Sequence, residues 1–323
     1  MKNLLHGSVA TILPLLLQTR KKQYVSILTY HQVLPEFDYM RPREPTVSDF
    51  EWQMELLAKY FNPISLSDAL TALEYGELPE RAVCVTFDDG YANNEELAMP
   101  ILTRLGIPAT VFVSTNFLNG GRMWNDSVIE ALRIAEGEEL DLRLSGLGLG
   151  CYPIRTVEEK RKAAGVIIRE IKHWPPEKRA EAATSIESMV DSLPTNIMMT
   201  DDQVRSLKKN GVAIGAHTKS HPILSTLDLD LVRQEVMGSK QYLESILGSE
   251  VRYFAYPNGR PGVDYLIEHR DIVEIAGFDA AVSTSWGVAS SLSDKWQLPR
   301  FTPWDRTPLR FMVRLLLNFR NPA

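Results

Sequence analysis

Four side chains in two short stretches have the types and spacing for hydrolytic chemistry. In "VCVTFDDG" (83–90), two adjacent carboxylates, Asp88 and Asp89, follow directly on an apolar, β-branched run. Successive side chains of a strand point to opposite faces, so a pair at its end is splayed and the two acids meet different surroundings. In "GAHTKSHPILS" (215–225), His217 and His221 stand four residues apart behind the apolar run "VAIGAH". On a helix that spacing puts both imidazoles on one face; on a loop folded into a turn it also converges them on one ion. Two histidines and one carboxylate leave open positions on a divalent cation, as at a catalytic site rather than a structural one. Asp89 is the third ligand in this reading. Asp88, across the pleat, is then free to act as base for a water that attacks a polarised carbonyl. Each stretch alone has a plainer account, since Asp-Gly is a common turn dipeptide and a lone histidine at a strand end is usually structural.

The elements that must position these residues alternate. "YVSILTYHQV" (24–33) reads as a buried strand ending at Tyr30 and His31, and "TVSDFEWQMELLAKYF" (46–61) as a helix capped by Ser48 or Asp49. "SLSDALTALEYG" is a second capped helix, ended by Gly76. A strand at "RAVCVTFDDG", a helix around 93–105 and a strand at 108–115 follow. The rhythm resumes with "DDQVRSLKKNG" and "VAIGAHT", then "DLVRQEVMGSKQYLESILG" and "VRYFAYP", then "HRDIVEIAG" and "FDAAVST". Repeated β-α units predict a mainly parallel sheet, open or closed into a barrel, with ligands gathering at the carboxyl ends of its strands. Residues from about 121 to 200 interrupt the rhythm with a charged helical stretch broken at Pro175-Pro176, read as an insertion capping the core. One domain over 24–308 is expected, preceded by a segment at 1–23 and followed by an amphipathic helix at 309–323.

"TFDDG", "HTKSH" and "RYFAYPNG" resemble the successive signatures of the polysaccharide deacetylases, the NodB-homology or carbohydrate esterase family 4 group, over roughly residues 24–300 without the helical insertion. The resemblance implies a distorted (β/α) barrel that removes N-acetyl, sometimes O-acetyl, groups from sugars with a divalent metal. By it Asp88 is the base, and Asp89, His217 and His221 hold the metal. Arg252 and Pro257 keep the family's spacing, which implies an arginine set against the base; a fixed guanidinium there would keep Asp88 ionised and oriented. Tyr256, Pro257, Asn258 and Gly259 are expected at the groove wall. The plainer account of Arg252 is an exposed side chain before a turn. The family's late Leu-x-His signature, whose histidine protonates the leaving amine, is missing, and His269 in "LIEHRD" reads as a surface residue. His31 in "LTYHQV" is similar to the motif that some biofilm-polysaccharide deacetylases of circularly permuted type carry at the front. It is expected to serve as general acid, with a structural histidine as the alternative. In "RMWNDSV", Trp124 could stack on a sugar and Asp126 bind hydroxyls; a core plug and a helix cap are the alternatives. Arg300 in "QLPRF" closes the last strand near the site and is a weak site candidate.

The donor set suits zinc, and also cobalt, nickel or iron. The expected substrate is an N-acetylated polysaccharide, oligosaccharide or lipid-linked saccharide, with an O-acetyl esterase or a non-catalytic carbohydrate-binding barrel as alternatives. Presence of all four motif residues speaks against the last. No Gly-rich phosphate loop is present. A net charge of -6 gives no basic footprint, which excludes nucleic acid as the main partner. Two distant cysteines, Cys84 and Cys151, support neither a disulfide framework nor a cysteine zinc site. The N-terminal apolar stretch is broken by His6, Gly7 and Pro14 and shows no cleavage site, so a cytoplasmic protein is expected. The basic, apolar termini, with Arg310, Arg314 and Arg320 on the last helix, would allow contact with a membrane surface or else pack on the domain.

Overall fold

The apolar runs between helices become parallel strands of one sheet. The structure, a computed structural model, describes residues 23–322 apart from 144, 145 and 147, so the expectations for the N-terminal segment lie outside the described residues. Numbered in chain order, the sheet comprises β1 (Val25–Tyr30), β2 (Asn62–Pro63), β3 (Ala82–Phe87), β4 (Ala109–Val113), β7 (Ala213–Ala216), β8 (Tyr253–Ala255), β9 (Ala280–Trp286) and β10 (Leu298–Arg300). Neighbours run β1-β3-β4-β7-β8-β9-β10, all pairs parallel, with β2 pairing beside β3. The ring closes where the Thr29 N–H donates to Phe301 O at 3.0 Å and the Phe301 N–H to Ile27 O at 2.7 Å. The result is a nearly closed parallel-stranded α/β barrel.

Period-two alternation sorts each strand into two layers. Val25 and Ile27, Ala82 and Cys84, Phe112, Tyr253 and Ala255, Ala280 and Val282, and Leu298 share one small core, closed by Leu66, Ala69 and Leu73 of a helix. Residues of the opposite parity, such as Leu28, Val85, Val111, Ile214 and Phe254, share a larger core with the surrounding helices. This double burial explains why the strands read as continuous apolar runs. Carried along β1, β3 and β10, the inward parity reaches His31, Asp88 and Arg300 at the carboxyl mouth.

The helices follow local signals. In α1 (Val47–Tyr60), Thr46 rather than Ser48 or Asp49 is the N-cap, and Asp49 completes a capping box from its third position. Helix α2 (Leu66–Tyr75) starts at Ser65 and ends at Gly76, whose φ of 72° suits a residue without Cβ. Residues 93–105 form a short π-helix and then α3 (Met99–Leu105). The insertion contains α4 (Trp124–Ile134), the antiparallel pair β5 (Glu139–Asp141) and β6 (Cys151–Pro153), α5 (Val157–Ile171) and α6 (Pro176–Glu187). It has its own core around Val128, Leu132, Ile167 and Ile186. The remaining helices are α7 (Asp201–Lys209), α8 (Leu229–Leu247), α9 (Ile267–Ile275) and α10 (Pro308–Asn318).

The apolar stripe of α10 is used internally. Phe311, Met312, Leu315 and Leu316 join the outer core, and Phe311 meets Trp52 edge-on at 5.7 Å. That packing accounts for its amphipathic pattern. No described helix is long and apolar enough to cross a membrane. His269 departs from its expected surface position. It is buried because its Nδ1 folds back to accept the Leu266 N–H at 3.0 Å at the start of α9.

Candidate metal centre and cleft

Strand β3 ends in a turn that only an unusual backbone can make. Asp89 takes a φ of 76° and Gly90 one of 91°, and a Cβ at Gly90 would stand 3.0 Å from Val113 Cγ1. The turn is pinned on both sides: Ser114 N–H donates to Asp89 O at 3.1 Å and Met199 N–H to Gly90 O at 3.0 Å. After β7, Thr218 (φ 63°) and His221 (φ 53°) are also left-handed, as is Asn258 (φ 60°) after β8. Four of the six described non-glycine residues in that region therefore surround one site, where such strain commonly collects.

The backbone arrangement converges three side chains. Nε2 of His217 and Nε2 of His221 each lie 3.4 Å from Oδ1 of Asp89. That oxygen is buried and has no hydrogen-bond partner. Ligands about 2.0–2.2 Å from a tetrahedral cation stand about 3.3–3.6 Å apart, so the spacing and the orphaned oxygen fit a divalent ion. His217 is aligned for the role by its other nitrogen, Nδ1, which lies 2.7 Å from the carbonyl oxygen of Ala255. A proton on Nδ1 leaves the Nε2 lone pair facing Asp89. Burial alone would raise the Asp89 pKa, but His217, His221 and His31 outweigh it and hold the carboxylate far below its usual range.

Glu235 of α8, which sequence reasoning missed, holds the histidine turn. Its carboxylate accepts the backbone N–H groups of Lys219 and Ser220, both at 2.8 Å, and the Ser220 hydroxyl at 2.7 Å. Nothing local marks it, because the glutamate lies on a helix fourteen residues beyond His221.

The arginine against Asp88 is Arg300, and the expectation for Arg252 is corrected. Arg300 is 2% exposed and donates through both arms, Nη1 to Oδ1 at 2.8 Å and Nη2 to Oδ2 at 2.7 Å. Its Nε donates to Ser283 O at 2.8 Å, which fixes the fork. Burial pushes the Asp88 pKa up; the guanidinium, helped by His217 and His31, brings it below the usual carboxylate value. Arg252 precedes β8, at the opposite end of the barrel from the mouth. Its side chain is 51% exposed and pairs with Asp279.

His31 lies at the mouth beside both acids, its backbone oxygen accepting Asn94 Nδ2 at 2.8 Å. Burial works against charge on its ring, but Asp89, Asp88 and Glu44 outweigh that and raise its pKa. Tyr256 reaches the cleft yet is buried, stacked on Tyr265 at 3.7 Å between ring centres with its hydroxyl on Trp296 O. Asn258 faces the cleft, whereas Pro257 and Gly259 shape the turn behind it, the Gly259 N–H donating to Pro257 O at 2.6 Å. Trp124 lines the cleft with the Arg179 guanidinium 5.1 Å from its ring centre. Asp126 is neither a helix cap nor free for hydroxyls: it is buried, with Arg41 at 2.8 Å on one oxygen and the Tyr91 hydroxyl at 2.9 Å on the other.

His31, Asp88, Tyr256, Asn258 and Trp124 line a cleft of about 970 Å³ that runs from the Asp89–His217–His221 cluster to the helical insertion. A buried carboxylate held ionised, a cation-binding triad and an imidazole on one face can deliver water to a carbonyl and a proton to its leaving group.

Comparison with known proteins points the same way. The family model described as polysaccharide deacetylase matches residues 75–136 and 182–281, half of the chain. The poly-β-1,6-N-acetyl-D-glucosamine N-deacetylase of Staphylococcus epidermidis is 25% identical over 181 residues, 52% of this chain and 57% of that enzyme. Among solved structures, the Streptococcus pyogenes deacetylase PplD in complex with acetate shares the fold with a TM-score of 0.60 at 19% identity, covering 91% of this chain and 98% of that one. IcaB from Ammonifex degensii does so with a TM-score of 0.57 at 19% identity, covering 90% and 95%. His31, Arg300 and residues 137–181 of the insertion fall outside the matched segments.

Proposed function

The chain belongs to the polysaccharide deacetylase family, and on that premise we propose that it is a metal-dependent hydrolase that removes N-acetyl groups from an amino-sugar saccharide. The observation that carries this reading is the buried, partnerless Oδ1 of Asp89 with two imidazole nitrogens 3.4 Å away. Asp89, His217 and His221 would hold a divalent cation, with zinc the best match, which would supply charge to polarise the acetyl carbonyl and ease deprotonation of water. Asp88 takes the proton of the attacking water, kept ionised and aimed by the Arg300 fork. His31, whose neighbours favour its protonated form, gives a proton to the departing amine nitrogen. The name of the Staphylococcus epidermidis relative supports the amide bond over an ester.

The test is acetate release from N-acetylglucosamine oligomers and from an O-acetylated sugar, by wild type and Asp88→Asn, each stripped of metal and reloaded. Release from the N-acetyl substrates that needs metal and drops about 10²–10⁴-fold in the variant supports the reading. Release only from the ester moves the enzyme to O-deacetylation. Release from neither, with one equivalent of metal bound, overturns the hydrolase.

A further inference from the structure

At the insertion end of the cleft lies a set of charges that the chemistry above does not use. Helix α5 turns one face to the cleft, with Arg161, Ala164, Gly165 and Ile168 at helical spacing, continued by Lys172 just past its end. The two small residues leave room between the cations. Arg169 joins them, Arg179 comes from α6 and Arg43 from the loop after β1. None of these five cations closes an ion pair with a carboxylate among the described residues. The acids nearest two of them act only at a distance, Glu177 on Arg179 and Asp264 on Lys172. Asp264 is already engaged by Arg260, through its N–H at 3.0 Å and its Nε at 3.2 Å.

Arg179 is the telling member. It is 6% exposed, yet among the described residues its only acceptor is Lys172 O, 3.1 Å from Nη1. A guanidinium carries five N–H donors, and burying one without a counter-charge is costly unless something anionic arrives. The guanidinium carbon lies over the Trp124 ring, 5.1 Å from its centre, and both side chains line the cleft. Of the acids lining the cleft, Asp88, Asp89 and Glu44 surround His31 and Asp126 is paired with Arg41, so none of them answers these five cations. Four of the five cations lie at positions 137–181, between the two segments that the family model matches.

We propose that the insertion end of the cleft is an anion subsite, so that the saccharide substrate carries a phosphate or carboxylate group alongside the sugar whose acetyl group enters the metal centre. This rests on the deacetylase reading above and narrows its substrate class, since a polymer of N-acetylglucosamine alone has no negative charge to offer. Planar, forked arginine donors suit either oxyanion.

The experiment compares acetate release by the metal-loaded enzyme from N-acetylchitotriose, from its 1-phosphate and from an N-acetylglucosamine–glucuronate disaccharide. One or both anionic sugars should show a kcat/KM at least about tenfold above the neutral one, the scale of one charge-assisted contact. Which of the two is preferred tells phosphate from carboxylate. In the Arg169→Gln/Lys172→Gln variant, whose side chains lie outside the packed core, the anionic-to-neutral ratio should fall towards one through the KM of the anionic sugar. Arg179→Met should do the same. Equal rates on all three sugars, or a preference that survives both variants, overturn the subsite and leave the deacetylase standing. No release from any sugar overturns the deacetylase instead. Calorimetry of the phosphorylated sugar on metal-loaded Asp88→Asn protein then decides the subsite alone: binding weakened at least about tenfold by the paired substitutions keeps it, and unchanged binding removes it.

Discussion

Arg300 meets Asp88 with two parallel hydrogen bonds inside the barrel, so the direction of the proposed base, and much of what keeps it charged, depends on one side chain. Removing it leaves a buried carboxylate without a partner, and Arg300→Met should lower stability by about 3–5 kcal/mol, read by denaturant unfolding. The sign of the pH effect follows from the same pair. Asp88 has a depressed pKa in the folded protein, so its contribution to stability is present above the ordinary carboxylate pKa and is lost as pH falls through the folded value. Without the guanidinium, burial is opposed only by His217 and His31, so that pKa rises and the acid limb of the kcat/KM profile should move to higher pH in the variant. An unmoved limb would mean that another group sets it. His31→Ala should reduce kcat by about 10²–10⁴-fold while the metal still binds with one equivalent, measured by competition with a chromogenic chelator. Loss of metal along with activity would place His31 among the ligands instead.

At the scale of elements, the candidate metal centre is a meeting of two strand ends, and each is secured by a neighbour. Glu235 on α8 holds the turn between Thr218 and His221 through three hydrogen bonds. Glu235→Gln loses the charge that strengthens them, and metal affinity should weaken by about 10–100-fold with both histidines still present, as found for groups that orient metal ligands. Unchanged affinity would show that the backbone turn stands unaided. Strand β7 passes so close to β4 and β8 that only glycine fits at Gly215, where a Cβ would stand 2.6 Å from Phe112 Cε1 and 3.0 Å from Tyr253 O. Gly215→Ala should cost about 1–3 kcal/mol by overpacking, read as a lowered Tm, and should also loosen His217 two residues on.

For the whole molecule, closure of the ring at Phe301 brings residues from both ends of the chain to one mouth: His31, Asp88 and Arg300 are separated by up to 269 positions and share inward parity on adjacent strands. A cation held by Asp89, His217 and His221 would tie β3 to the end of β7 and bind only the folded state. Stripping the metal should therefore lower Tm as well as abolish hydrolysis, and at a metal concentration about 100 times the Kd the stabilisation should be about 2.7 kcal/mol. A Tm indifferent to metal would mean that the three side chains do not hold it.

Local patterns determined a good deal. The β-α alternation, the caps at Ser65 and Gly76, and the two stretches carrying Asp88, Asp89, His217 and His221 are legible in the sequence because each depends on residues a few positions apart. A parallel barrel then brings strand ends together, which is why motifs 128 residues apart, Asp89 and His217, meet at 3.4 Å. The rest is set by register and closure. Arg252 keeps a familiar spacing but precedes its strand, and in a parallel barrel that is the wrong end; Arg300 ends its strand beside β1 and so reaches Asp88. Glu235 and the cations of the insertion gain their meaning from the faces that α8, α5 and α6 turn to the mouth, and only tertiary packing decides which face a helix presents.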